Sequence, residues 1–205
     1  YDKTINKSHF TITAVAEQKY TKDFNSAINA SDFAVQQTGV FDVGGANTVT
    51  TASASSERVI NSYLGRVNYI FDNKYLFTAS VRADGSSVFG SDNKWGYFPS
   101  GSVAWRASEE QFIKNLHVFS DLKFRLSYGV TGNQAINPYQ TLAHITSGFN
   151  YPYLGTDVTN LGYSITSTAN PKLKWEKTAQ TDAGLDMSIF NGRLEFTFDY
   201  YNKLT

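Results

Sequence analysis

Strict alternation of apolar and polar residues dominates the middle of the chain. Tyr63, Gly65, Val67, Tyr69 and Phe71 alternate with Leu64, Arg66, Asn68 and Ile70. After Asp72, Asn73 and Lys74 the pattern restarts, with Tyr75, Phe77, Ala79, Val81 and Ala83 on one face and Leu76, Thr78, Ser80, Arg82 and Asp84 on the other. A third run, Trp95 to Arg106, sets Trp95, Tyr97, Pro99, Val103 and Trp105 against Gly96, Phe98, Ser100, Ser102 and Arg106. Side chains on a strand point alternately to opposite faces, so each run predicts a strand with one apolar and one wet face. Weaker or shorter runs over Ser8–Glu17, Leu122–Thr131, Ala179–Ile189 and Leu194–Tyr201 bring the expected strands to seven. Asn191-Gly192 between the last two predicts a type I′ hairpin turn.

The connections carry a second pattern. Residues 19–55 are rich in Asn, Ser, Thr, Ala and Gly without sustained periodicity, broken by Gly44-Gly45, with room for a short helix over Phe24–Gln37. Ser108 ahead of Glu109, Glu110 and Gln111 reads as an N-cap and an acidic first turn, hence one helical turn within residues 107–116. Residues 132–174 form another irregular stretch, holding Pro138, Pro152 and Pro171. In an antiparallel meander alternate connections fall at opposite ends. The short ones (72–74, 107–118, 191–192) therefore share one end and the longer ones (19–55, 85–94, 132–174) the other. Transmembrane β-barrels have that asymmetry.

The faces agree with this reading. Arg66, Arg82, Arg106, Lys123, Arg125, Asp182 and Asp186 fall on the wet faces, and the opposite faces carry essentially no charge. A barrel would turn the charged face to its lumen and the apolar face to lipid, with Trp95, Trp105, Tyr63, Tyr69 and Tyr75 as interfacial girdles. A soluble sandwich would bury a shared dry core. The pattern keeps open a soluble β-rich carbohydrate-binding module whose aromatics pack such a core.

Composition narrows the field. Of 205 residues 15% are aromatic and 18% charged, below the roughly 25% charge usual in soluble domains. Zero net charge removes the electrostatic case for a nucleic-acid partner. No apolar run reaches the 18 or so residues of a spanning helix, which leaves a barrel open. Without cysteine there is neither disulfide nor thiolate metal site. The polar opening YDKTINKSHF has no signal-peptide core, as expected of a cytoplasmic protein or an internal piece of an exported chain.

Four blocks carry a family resemblance: GRVNYIFDNKYLFTASVRADGSSVFG, WGYFPSGSVAWRASEEQF, LKFRLSYGVTGNQ and NPKLKWEKTAQTDAGLDMSIFNGRLEFTFDYYNK. In this order they resemble the barrel of SusC/RagA-type TonB-dependent outer-membrane transporters of Bacteroidetes, over roughly residues 57–205. The resemblance implies an all-β, antiparallel up-and-down barrel of about 22 strands with a plugged lumen. It also implies import of oligosaccharides, or in some members peptides, with a SusD-like surface lipoprotein and the TonB–ExbB–ExbD complex as partners. The bacterial outer membrane and its lipid are then the setting. Residues 1–205 are expected to be part of the barrel domain, with plug and remaining strands elsewhere, since seven strands cannot close or satisfy their edges in a bilayer.

Other chemistry is weak. His9, His117 and His144 lack ligand spacing, so no metal site, cofactor or catalytic set is expected. Asp84-Gly85-Ser86-Ser87 lacks the strand–loop–helix setting of a phosphate loop and reads as a tight turn. An outer-membrane enzyme would need a nucleophile or carboxylate pair that the loops do not offer; adjacent Glu109 and Glu110 point in different directions. Two sets could touch a ligand. Tyr139, Phe149, Tyr151, Tyr153 and Tyr163 lie among amides and hydroxyls and could stack on sugar faces, or pack the loop or a partner. Arg66, Arg82, Arg106, Lys123 and Arg125, lining the lumen, could bind an anionic glycan or pair with carboxylates of the plug or adjacent strands.

Overall fold

The computed structural model describes residues 1–34, 41–148, 151–152, 159–160 and 162–205, without the side chains at 151–152 and 159–160. Among these the strands are β1 (Asp2–Ile5), β2 (Ser8–Phe33), β3 (Ala46–Phe71), β4 (Tyr75–Ser86), β5 (Trp95–Arg106), β6 (Phe119–Asn133), β7 (His144–Ser147), β8 (Tyr151–Pro152), β9 (Thr159–Asn160), β10 (Tyr163–Ser167), β11 (Glu176–Ile189) and β12 (Leu194–Leu204). One antiparallel sheet takes eight of them in the order β1-β2-β3-β4-β5-β6-β11-β12, so spatial neighbours are chain neighbours except across the long connection. Within that connection β7 pairs with β10 and β8 with β9. All seven expected strands are present, and β1 adds an eighth that four residues were too short to reveal.

The largest departure is at residues 19–55. Instead of an irregular stretch with a helix over Phe24–Gln37, β2 and β3 form a 26-residue-long hairpin paired from Ser8–Phe71 to Phe33–Ala46. Residues 35–37 of the expected helix lie outside the described residues. At about 3.3 Å per residue each strand runs some 85 Å. Gly44-Gly45 does mark a break, in a 3₁₀ turn over Val43–Gly45.

Register lines the apolar residues into rows across the sheet. Phe71, Tyr75, Trp105, Phe124, Leu185 and Phe198 are successive cross-strand partners. One row further in run Phe10, Tyr69, Phe77, Val103, Leu126, Ala183 and Tyr200. Rings stack along these rows, Phe10 on Tyr69 at 4.5 Å and Trp105 on Phe124 at 5.7 Å between centroids. At the far side Tyr63 stacks on Trp95 at 6.0 Å. Tyr63, expected near a strand end, lies mid-strand because β3 continues beyond it to Ala46. Tyr63 to Phe71 is nine residues, the length with which a tilted strand crosses hydrocarbon, about 9–11.

This apolar face is uncovered. Phe77 is 45% exposed, Leu126 52% and Phe198 62%. The buried apolar cluster is small and lies at the long-connection end: Val88 and Phe89 from the β4–β5 loop, Phe98 of β5 and Trp175 just ahead of β11. Trp175 meets the edge of Phe98 at 5.4 Å and donates Nε1–H to the Lys94 carbonyl at 3.0 Å. A soluble sandwich buries its apolar face against a second sheet; here the cluster only fastens two loops to the sheet. Phe98 fits because its ring lies flat over Gly132, where a Cβ would come within 2.1 Å of Cζ.

The Asp84–Ser87 stretch is not the expected tight turn: Asp84, Gly85 and Ser86 end β4, and the bend follows them. Asn191 and Gly192 have φ of 57° and 82°, and Arg193 N–H donates to the Phe190 carbonyl, as a type I′ turn requires. Phe190 also has positive φ, so the strands end one residue early on each side.

Gly132→Ala in the whole protein should lower the thermal unfolding midpoint in detergent by the equivalent of about 1–3 kcal/mol of overpacking. Adding Phe98→Leu should recover most of the loss. An unchanged midpoint in the single variant would mean that the ring does not rest on Gly132.

Candidate functional site on the polar face of the sheet

The face opposite the aromatic rows carries the charges. All five basic residues singled out from the sequence lie on it, on four strands: Arg66 on β3, Arg82 on β4, Arg106 on β5, Lys123 and Arg125 on β6. Their surroundings divide them. Arg125 holds both oxygens of Asp186 on β11, at 2.8 and 2.9 Å, and reaches Asp199 on β12 at 2.9 Å. Lys123 Nζ is 3.9 Å from the same Asp186. Arg125 spans two strands because the residue between, Gly184, has no side chain: a Cβ there would lie 2.7 Å from both Arg125 Cζ and Asp199 Oδ1.

Arg82 donates Nε–H to both oxygens of Asp84 at 2.8 and 2.9 Å and Nη2–H to Ser62 Oγ at 3.0 Å. Asp84 and Ser62 are buried, so the acid of this pair is drier than Asp186 or Asp199 and depends on the guanidinium that it accepts from. Arg106 gives Nη1–H to Asn73 Oδ1 at 2.8 Å, bracing the β3–β4 turn. Arg66 is exposed and has no polar partner among the described residues. Beside it the face is built of hydroxyls, with Ser80 and Ser100 bonded to each other at 2.7 Å. Asp182 accepts from Gln180 Nε2 at 2.7 Å and Ser127 Oγ at 3.3 Å. Two shallow recesses open here, one of about 320 Å³ reaching from Arg66 to Asp182 and one of about 290 Å³ beside Arg125.

Of the aromatic loop set, Tyr139 and Tyr163 have described side chains. Both are exposed, Tyr139 ahead of β7 and Tyr163 within β10, where it pairs with Ser147. Tyr139 OH accepts the Glu57 N–H of β3 at 3.2 Å, tying the long connection to the projecting hairpin. Phe149 and Tyr153 lie outside the described residues; Tyr151 is in β8, with its side chain outside them. Among the described residues no group of three or more His, Cys, Asp or Glu is placed to hold a metal ion. Among the described residues no helix is long and apolar enough to cross a membrane.

The short-connection end holds a cluster that sequence reasoning missed. Ser108 lies inside a 3₁₀ turn, Ala107–Glu109, and donates to Asp121 rather than capping α1 (Gln111–Lys114). Glu110 occupies the N-cap position without making a capping bond. Its carboxylate instead accepts Lys74 Nζ at 2.9 Å and Tyr75 OH at 2.8 Å, both from the neighbouring turn and strand. An ammonium and a phenol outbid backbone amides because a charged donor–acceptor pair is the stronger bond. Glu109 pairs with Lys114 at 2.6 Å. The hydrogen bond from Lys74 holds the Glu110 carboxyl below the usual carboxylate range, and that bond likewise raises the Lys74 ammonium. The alternation pattern could not have paired residues 36 apart, although the acidic pair and a lysine turn at one end were visible.

Residues 4–205 match the family model described as TonB dependent receptor-like, beta-barrel. TonB-dependent receptor P3 of Formosa agariphila is 45% identical over 162 residues, 79% of this chain and 16% of that protein. TonB-dependent receptor SusC of Bacteroides thetaiotaomicron is 42% identical over 167 residues, 76% of this chain and 16% of that protein. A solved structure of the RagAB peptide importer in a closed-closed state superposes with TM-score 0.80 at 31% identity, over 99% of this chain and 22% of that one. The chain thus spans about a fifth or less of the curated relatives it matches.

Acid should undo the Glu110 tie. A depressed carboxyl contributes stability that is complete above its unfolded pKa of about 4.3 and lost as pH falls through its lower folded value. The raised Lys74 contributes below its unfolded value of about 10.4 and loses that only in stronger alkali. The gap in unfolding midpoint between the unaltered protein and Glu110→Gln should therefore be steady near neutrality and close below about pH 4. A gap at pH 3 as wide as at neutrality would contradict this.

Proposed function

Because this chain belongs to the TonB-dependent receptor-like β-barrel family, we propose that it forms part of the wall and surface loops of an outer-membrane nutrient importer. The family consists of receptors and transporters, so the chain is not part of an enzyme. The observation that carries the proposal is the two-faced sheet. Its apolar face bears exposed aromatic rows at the two ends of a nine-residue span, Tyr63 to Phe71, and its other face bears paired charges, hydroxyls and amides. An apolar exterior satisfies lipid and a polar interior satisfies water and hydrated cargo. The soluble carbohydrate-binding module does not fit, since nothing covers the apolar rows and the family is one of barrels.

In this reading the face bearing Arg66, Arg82, Arg106, Lys123 and Arg125 lines the lumen. The ion pairs of Arg82 and Arg125 make these two mainly structural, cross-bracing strands of the wall. The connections 72–74, 107–118 and 190–193 face the periplasm, and the projecting hairpin and residues 134–175 face outward. Cargo is taken at the outer face, oligosaccharide first and peptide as the second class, with a SusD-like lipoprotein over the mouth. TonB–ExbB–ExbD supplies the work through a plug elsewhere in the protein. The resemblance of the four sequence blocks supports the oligosaccharide, and likeness to the RagAB peptide importer supports the second class.

Outer membranes of the native source should contain this sequence within a chain of about 1,000 residues, the length implied by 162 residues being 16% of the Formosa relative. It should be extracted only with detergent, together with a surface lipoprotein. Deletion of its gene should abolish uptake of a fluorescent oligosaccharide series, as should removal of TonB. A detergent-free soluble species of this sequence would overturn the importer, and retained sugar uptake with lost peptide uptake would reverse the order of cargoes.

A further inference from the structure

Four of the five basic residues on the polar face have partners that account for them: Arg125 and Lys123 share Asp186, Arg82 has Asp84 and Ser62, and Arg106 has Asn73. Arg66 alone of the five has none among the described residues. Register shows why no carboxylate of these strands can serve it. Thr13 and Ser80 lie directly opposite, and the diagonal positions on β4 are Thr78 and Arg82. Along its own strand the neighbours on that face are Leu64 and Asn68, and the Asn68 amide oxygen already accepts from Thr78. On the flanking strands β2 and β4 the nearest acids are Glu17 and Asp84, both on the far side of Arg82, which they serve. Asp2 and Asp182 lie one row along but two and four strands away, and they accept from Thr11 and from Gln180 and Ser127.

Arg66 also lines one end of the recess of about 320 Å³, next to the short side chains of Ser80 and Ser100, while the one acid that lines it, Asp182, stands at the other end and is engaged by Gln180 and Ser127. A guanidinium offers a planar fork matched to a carboxylate, which a lysine ammonium would not. We infer that Arg66, with the hydroxyls of Ser80 and Ser100 beside it, is a docking point for a carboxylate carried by the cargo. The inference rests on the importer reading and narrows it: the preferred substrates are acidic, such as uronate-bearing oligosaccharides or peptides with a free C-terminus. The recess supplies hydroxyls around the charge, so the rest of the bound group is itself polar.

The test uses the whole transporter purified in detergent, with two probe pairs differing only in the carboxylate. One pair is hexagalacturonate and its full methyl ester; the other is a six-residue Gly/Ser peptide acid and its amide. Titration calorimetry should show the unaltered transporter preferring the acid in at least one pair. Arg66→Gln should weaken that acid by about tenfold or more while leaving its neutral counterpart within about twofold, and Arg66→Lys should fall between, as loss of a charged hydrogen bond predicts. No preference for either acid, or equal loss of acid and neutral probe in Arg66→Gln, would overturn the docking point. The second of those results is expected if Arg66 instead pairs with an acid of the transporter's own plug. The importer reading fails separately, if uptake in cells carrying the unaltered protein does not depend on TonB.

Discussion

A backbone in hydrocarbon cannot leave an N–H or C=O unpaired, and everything in this chain follows from that. A sheet satisfies each strand only through its neighbours, so the chain must run as an unbroken meander with continuous ladders. From β2 to β12 that is what the register shows, with β6 and β11 paired over almost their whole length despite the 42-residue gap from Gln134 to Trp175. Once the ladder is continuous, a one-residue slip would turn a strand's lipid-facing rings to the polar side and bring residues such as Arg66, Arg82 or Ser100 to face lipid. The aromatic rows are the visible result of avoiding that slip. Phe71, Tyr75, Trp105 and Phe124 come from four separate strands and meet at one level.

The same ladder decides what the polar face can hold. Neighbouring strands are about 4.8 Å apart, so an arginine reaches one strand over easily and two strands over only across a gap in the side chains. Gly184 is that gap, and Arg125 uses it to join β6, β11 and β12. Phe98 over Gly132 is the apolar counterpart at the other end. In each case glycine serves by leaving room, in an extended backbone that any residue could adopt. These pairs stiffen the wall, and by engaging the charges they leave Arg66 as the exposed cation among the five.

The sheet was legible in the sequence wherever its two faces meet different media. Tyr63–Phe71, Tyr75–Asp84 and Trp95–Arg106 alternate because one face meets lipid and the other water, and those strands lie where the pattern put them. The far half of the β2–β3 hairpin was not legible for the same reason. Beyond Glu17 and Ser62 both faces are wet, so Thr, Ser, Asn and Ala can stand on either, and a long strand looks like a loop. Their β-branched threonines and valines were the remaining signal, weaker than periodicity. At the candidate site, face membership of Arg66, Arg82, Arg106, Lys123 and Arg125 could be read from spacing of two. Their partners could not, because pairing depends on register between strands up to 74 residues apart, as for Arg125 and Asp199.

The hairpin's reach raises a problem that the structure answers locally. A two-stranded ribbon in water is marginal, and its edges carry free donors. β4 ends at Ser86, opposite Ile60, so the donors of β3 past that point have lost their strand. The first, Val59 N–H, is taken by Ser87 Oγ at 2.9 Å, and the next on that edge, Glu57 N–H, by Tyr139 OH at 3.2 Å. Side-chain oxygens thus continue the ladder for one more turn of the pleat after the neighbouring strand has gone. On the ribbon itself Lys22 pairs with Glu57 at 2.9 Å and Gln18 with Asn61 at 2.9 Å, each directly across the strand pair. Tyr139 therefore holds the long connection against the root of the hairpin. Its hydroxyl is committed to the edge of β3, and its ring stays exposed beside it.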